Sequence, residues 1–116
     1  MERGQPTKLG RFVDLKNYQP ISPSDVRDAS LDLVGNYIGI HHSPPALRDG
    51  FVRSIHRVLR PGGRFILRDH DVNSVEMNHM VALAHDVFNA GLGANWAVNQ
   101  QEIRNFTSME GLVKYL

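Results

Sequence analysis

Two short apolar runs, LDLVGNYIGI (31–40) and RFIL (64–67), flank a single amphipathic stretch, and that order dictates the architecture. The first run is dense in Leu, Val, Ile and Tyr with incomplete alternation, as in a strand buried on both faces of a parallel sheet. Between the runs, HHSPPALRDGFVRSIHRVL (41–59) sets Leu47, Phe51, Ile55, Val58 and Leu59 on one helical face. Ser43 reads as the N-cap, Pro44 as the first helical residue, and Pro61 with Gly62 as the stop. Strand, helix and strand within about 40 residues form a βαβ unit whose strands run parallel.

The flanking segments extend this unit. Residues 1–10 are polar with Gly and Pro, and read as a flexible N-terminus; RFVDL (11–15) is a third strand candidate. Pro20 and Pro23 make 16–30 a long loop. Asn73 with Glu76 has capping-box spacing, opening a helix over 74–90 whose stripe of Met77, Met80, Val81, Ala84, Val87 and Phe88 is expected to lie on the sheet. Gly91 ends it. The stretch from Leu92 to Phe106 reads as irregular with one helical turn at 100–104, and Thr107 or Ser108 caps a last helix.

Composition excludes several classes. A net charge of +1 gives no footprint for nucleic acid or an anionic membrane. The absence of cysteine rules out disulfides, thiolate metal sites and cysteine nucleophiles. No apolar run approaches the roughly 20 residues of a membrane span, so a cytoplasmic chain is expected.

Three motifs together carry a family resemblance: SLDLV leading into IGIHH, the turn and strand RVLRPGGRFIL, and NFTSMEGLVKYL. Over 11–116 the chain resembles a class I S-adenosylmethionine-dependent methyltransferase. The fold implied is a partial Rossmann-like α/β domain, a parallel sheet of about three strands with flanking helices. The implied cofactor is S-adenosylmethionine, and the implied reaction is methyl transfer to an acceptor that no motif identifies. The family's glycine-rich turn after the first strand is missing here, and so is the acid that ends its second strand. The expectation is an incomplete methyltransferase-like domain, inactive as an isolated chain. The competing expectation is a non-enzymatic interaction or structural module.

Candidate site residues sit where the strands end, since open α/β sheets bind ligands at their carboxyl edge. The resemblance places Gly39, Ile40, His41 and His42 on the cofactor side, with Asp14 or Asp25 near the adenine loop. Asp69, His70 and Asp71 follow the second run. His70 or His41 could accept a proton from a hydroxyl or amine acceptor, because imidazole titrates at about 6.5. The plainer reading has Asp71 capping the next helix and Asp69 pairing with Arg68. Adjacent strand residues point to opposite faces, so few of His41, His42, Asp69, His70 and Asp71 are expected to meet, and no metal site is assigned. A small sheet leaves unpaired edges, so self-association or a partner strand is expected.

Overall fold

A computed structural model of the chain describes residues 10–116, so all but the last residue of the segment read as a flexible terminus lies outside it. β1 (Leu31–Tyr37) and β2 (Leu59–Arg68) pair in parallel, with Val34 opposite Phe65 and Asn36 opposite Leu67. Between them in the chain come one 3-10 turn (Ile40–His42) and α1 (Pro45–Val58). Then follow α2 (Val75–Gly91), α3 (Trp96–Gln101) and α4 (Met109–Tyr115). The α/β class with a small parallel sheet and flanking helices is as the sequence predicts.

The sheet has two strands among the described residues rather than three. RFVDL forms no strand: Phe12 is 72% exposed, and Lys16, Asn17 and Tyr18 turn in succession through left-handed dihedrals. That turn, closed by the Gln19 amide on the Leu15 carbonyl, redirects the chain before it can pair with β1. The loop from Gln19 to Asp28 is instead strapped to α1. Ser54 Oγ accepts from the Ile21 amide at 2.9 Å, and Arg57 donates to the Ile21 and Val26 carbonyls and to Asp28. Arg57 is therefore a bracket between α1 and this loop.

The Pro-Gly-Gly stretch does not stop α1. Leu59 is already extended, and the register jumps from Leu31–Leu59 to Leu33–Arg64, so residues 60–63 bulge against a single residue of β1. Glycine is required here on two counts. Gly62 has φ +80°, and a Cβ on Gly63 would lie 2.9 Å from the Arg60 carbonyl oxygen and 3.1 Å from that of Leu31.

Phe51, Ile55 and Val58 of α1, with Ile40, Val72 and Leu112, form the buried core. One sheet face, Val34, Asn36, Phe65 and Leu67, is half-buried; on the other Leu33, Tyr37 and Ile66 are exposed. The expected burial on both faces is absent, and Tyr37 is not core. Two strands about 4.8 Å apart are scarcely wider than one helix of about 10 Å, so α1 suffices to cover them. α2 accordingly buries none of its residues, and its expected stripe on the sheet is open, with Met80 and Val87 about two-thirds exposed.

Helix starts shift slightly. Ser74, not Asn73, caps α2 by accepting from the Met77 amide at 3.1 Å. Ser43 does not cap α1: its hydroxyl donates to the Ile40 carbonyl and accepts from Arg48, while Pro44 takes the cap position. α3 begins at Trp96, four residues before the predicted turn, because the Asn95 side chain accepts from the Ala97 amide.

Candidate functional site

β1 and β2 end side by side, and each is followed by polar residues that fold back toward the other. After Tyr37 the chain leaves β1 through Ile38, whose φ of 53° is unusual for a β-branched residue. Such a conformation costs on the order of 1–3 kcal/mol and persists because neighbours impose it. The Ile38 amide is held by the Arg68 carbonyl at 2.6 Å. The following 3-10 turn then swings His41 beneath the end of β2.

There His41, 2% exposed, meets Asp69. Its Nδ1 lies 2.6 Å from Asp69 Oδ1, and its amide donates to Oδ2 at 3.2 Å; the His70 amide adds a third bond to Oδ1 at 2.8 Å. Burial alone would raise the Asp69 carboxyl, but these hydrogen bonds outweigh it and hold it below the usual carboxylate range. The carboxylate is therefore an acceptor, and His41 Nδ1 carries the proton. The expected Asp69–Arg68 pair is not formed. Asp71 does not cap α2 either; its Oδ1 accepts from the Met109 amide at 3.0 Å and fastens α4.

Two further imidazoles are fixed in the same way. His85 Nδ1 donates to the Val81 carbonyl at 2.9 Å, and His42 Nδ1 donates to that of Ile103 at 2.8 Å. A carbonyl can only accept, so both rings keep Nε2 as the lone-pair nitrogen when neutral. His41 Nε2 and His85 Nε2 face each other at 3.2 Å. His70 closes the group, its ring centre 5.2 Å from that of His41 and 5.1 Å from that of His85, and its Nε2 is buried without a partner. Desolvation, then the neighbouring rings of His41 and His85, push the His70 pKa below its ordinary value; desolvation foremost does the same for His42. Phe106 lies against His41, His70 and His85 as an apolar wall.

His41, His42, Asp69 and His70 thus converge, contrary to the alternation argument. A 3-10 turn does not obey strand alternation, so His41 and His42 reach the same cluster. Two sets have donor atoms within 4.8 Å of one another: His41, His42 and His85, and His41, Asp69 and His70. Sequence reasoning missed His85 as a member of this cluster. It lies one helical turn after Val81, and these two with Ala82 and Asp86 make the half-buried side of α2, while the apolar stripe stays open.

The other candidates are placed less tightly. Gly39 lies at the mouth of the turn, its carbonyl accepting from Tyr18 Oη at 2.7 Å. Ile40 is 2% exposed and belongs to the core. Asn36 Oδ1, beside Gly39, is buried and unpartnered. Asp25 lines a separate cavity of about 40 Å³ together with Asp14, and no residue of the strand-end cluster borders it.

Residues 8–67, more than half of the chain, match a family model described as a methyltransferase domain. The chain belongs to this family, of the class I S-adenosylmethionine-dependent type. No curated protein and no solved structure matches it. The matched span of the methyltransferase domain holds β1, the His41–His42 turn, α1 and nearly all of β2. Asp69 and His70 lie just beyond it, and His85 lies farther on, in α2. No described helix is long and apolar enough to cross a membrane.

Proposed function

We propose that this chain forms the acceptor side of an S-adenosylmethionine-dependent methyl-transfer site at the carboxyl ends of β1 and β2. The observation that carries the reading is the convergence of His41, Asp69 and His70 at those ends in a chain of the methyltransferase-domain family. On the cofactor side, the unpartnered Asn36 Oδ1 and the backbone of Gly39–His42 fit one edge of the cofactor. Bound there, S-adenosylmethionine would supply an electrophilic methyl group, its S–CH3 bond breaking as the acceptor bond forms and the electron pair returning to sulfur as a neutral thioether. His70, kept neutral and with Nε2 free, accepts the proton that a hydroxyl or amine acceptor loses as its bond to the methyl forms. Asp69 fixes His41 as a wall of the site, and Phe106 excludes water beside it.

The chain offers neither a glycine-rich turn nor a ribose-binding acid. If each of those contacts is worth roughly 1.5–3 kcal/mol, affinity falls by about two to four orders of magnitude. A ligand normally held at micromolar levels then binds at about millimolar, and turnover by the isolated chain is not expected. Calorimetry with S-adenosylhomocysteine tests this: weak binding abolished by blocking the strand ends is the expected result. Micromolar affinity contradicts the partial-site reading, and no heat at any accessible concentration contradicts the site itself.

The exposed surface favours a second copy as partner. Accessible area is 8628 Å², against about 6,400 Å² for a compact monomer of this mass. The radius of gyration is 15.7 Å, against about 13.4 Å for a compact chain of this length. The excess, about 2,200 Å² per chain, is more than the about 800 Å² per partner that a standard interface buries, and Leu33, Tyr37 and Ile66 form an apolar face for such a contact. Light scattering should show a dimer mass growing with concentration; a monomer throughout would rule self-association out.

A further inference from the structure

We infer that His41, His42 and His85 form a binding site for a divalent transition metal, with zinc as the best match. This inference stands on geometry and is independent of the methyl-transfer reading. Each of the three rings has its Nδ1–H committed to an acceptor-only partner: Asp69 for His41, the Ile103 carbonyl for His42 and the Val81 carbonyl for His85. Pinning one ring nitrogen to a carboxylate or backbone carbonyl is what fixes the orientation and basicity of metal-ligating histidines. The remaining nitrogens then present lone pairs.

Two of those lone pairs face each other. His41 Nε2 and His85 Nε2 are 3.2 Å apart, where two bare lone pairs repel unless a cation lies between or beside them. With Zn–N bonds of about 2.05 Å, two imidazoles on a tetrahedral ion stand about 3.3 Å apart, so the separation suits shared coordination. His42 has its ligand atom within 4.8 Å of the other two. His70 is not one of the three ligands; its donor atom groups with those of His41 and Asp69 instead, which leaves the fourth position to water or an added ligand. All-imidazole donors with no thiolate suit Zn²⁺, Cu²⁺ or Ni²⁺ rather than Ca²⁺ or Mg²⁺. Phe106 packs against His41 and His85, while the His42 side chain, 27% exposed, leaves an open approach for the ion.

The rival to a metal is a proton shared between His41 and His85, and the experiment separates the two. The metal-stripped full chain is titrated with Zn²⁺ against a chromophoric chelator, and with Co²⁺ followed by visible absorption. One equivalent should bind with the intense absorption of a tetrahedral cobalt site. His85→Ala and His41→Ala should weaken binding by about a hundredfold or more, and Asp69→Asn by about ten- to a hundredfold through loss of the ring's anchor. His79→Ala, an exposed histidine on the same helix, should bind as the parent does. Nitrogen-15 imidazole spectra of the parent chain give a readout that no folding defect can mimic: Zn²⁺ should shift Nε2 of His41 and His85. Unmoved Nε2 resonances at equimolar zinc, or binding lost in His79→Ala and retained in His85→Ala, would overturn the assignment.

Discussion

Replacing Asp69 by Asn probes the strand-end cluster at its hinge. In the parent, one carboxylate with a side chain 3% exposed accepts from the His41 ring, the His41 amide and the His70 amide. The carboxamide has one oxygen and one NH₂. If its oxygen faces the His41 ring and the His70 amide, its NH₂ opposes the His41 amide; flipped, it opposes the other two donors. Losing the charge-assisted bond costs about 1.5–3 kcal/mol, and one stranded amide adds about 1–3 kcal/mol. Allowing for relaxation, a loss of about 2–5 kcal/mol is expected. At about 1.5 kcal/mol per molar urea, the unfolding midpoint falls by more than 1 M. The assay is urea unfolding of both proteins in chelator. Because the folded Asp69 pKa lies below its unfolded value of about 3.9, its contribution is complete above that value and is lost as pH falls through the folded one. The gap between the two proteins should therefore close in acid. A difference under about 0.5 kcal/mol at neutral pH, or a parent His41 protonated on Nε2 alone, would refute the reasoning.

Three further outcomes follow from the same geometry. His70 and His42 are held below the ordinary imidazole pKa, so the unfolded chain takes up protons first, and stability in chelator should drop as pH falls below about 6.5; a flat profile from pH 8 to 5 contradicts this. Gly63→Ala should cost about 1–3 kcal/mol, because its Cβ meets two backbone oxygens, whereas Gly91→Ala, with nothing within 4 Å, should be neutral or slightly stabilising by urea unfolding. Tyr115, raised to about 12 by burial and by its hydrogen bond to Asp49, should give an ultraviolet titration step well above the ordinary tyrosine value, lost in Tyr115→Phe; the stability it lends is complete below about pH 10 and lost as pH rises through its folded value.

The βαβ unit was legible because it rests on local signals: the stripe of Phe51, Ile55 and Val58, and the apolar runs on either side. What failed were inferences needing a third body. RFVDL has strand composition but no partner beside it, and the α2 stripe has no sheet wide enough to lie on. Pro61 and Gly62 looked like a helix stop, since proline and glycine interrupt a helix and build a bulge for the same conformational reasons. At the site, His41, His42 and His70 were found from their position at strand ends. Their mutual contact was not, because a 3-10 turn has neither the strand nor the helix period. His85 lies 44 residues from His41, and only the fold brings the two rings together.

The most direct test of a methyl-transfer site at the strand ends is an amide spectrum of the nitrogen-15-labelled chain titrated with S-adenosylhomocysteine to about 10 mM, well past the expected millimolar affinity. Saturable shifts should appear at Asn36, at Gly39 to His42 and at Asp69 to Asp71, with α3 and α4 largely unmoved. Shifts confined to α2, α3 or α4, or none at that concentration, would contradict a cofactor edge at the ends of β1 and β2.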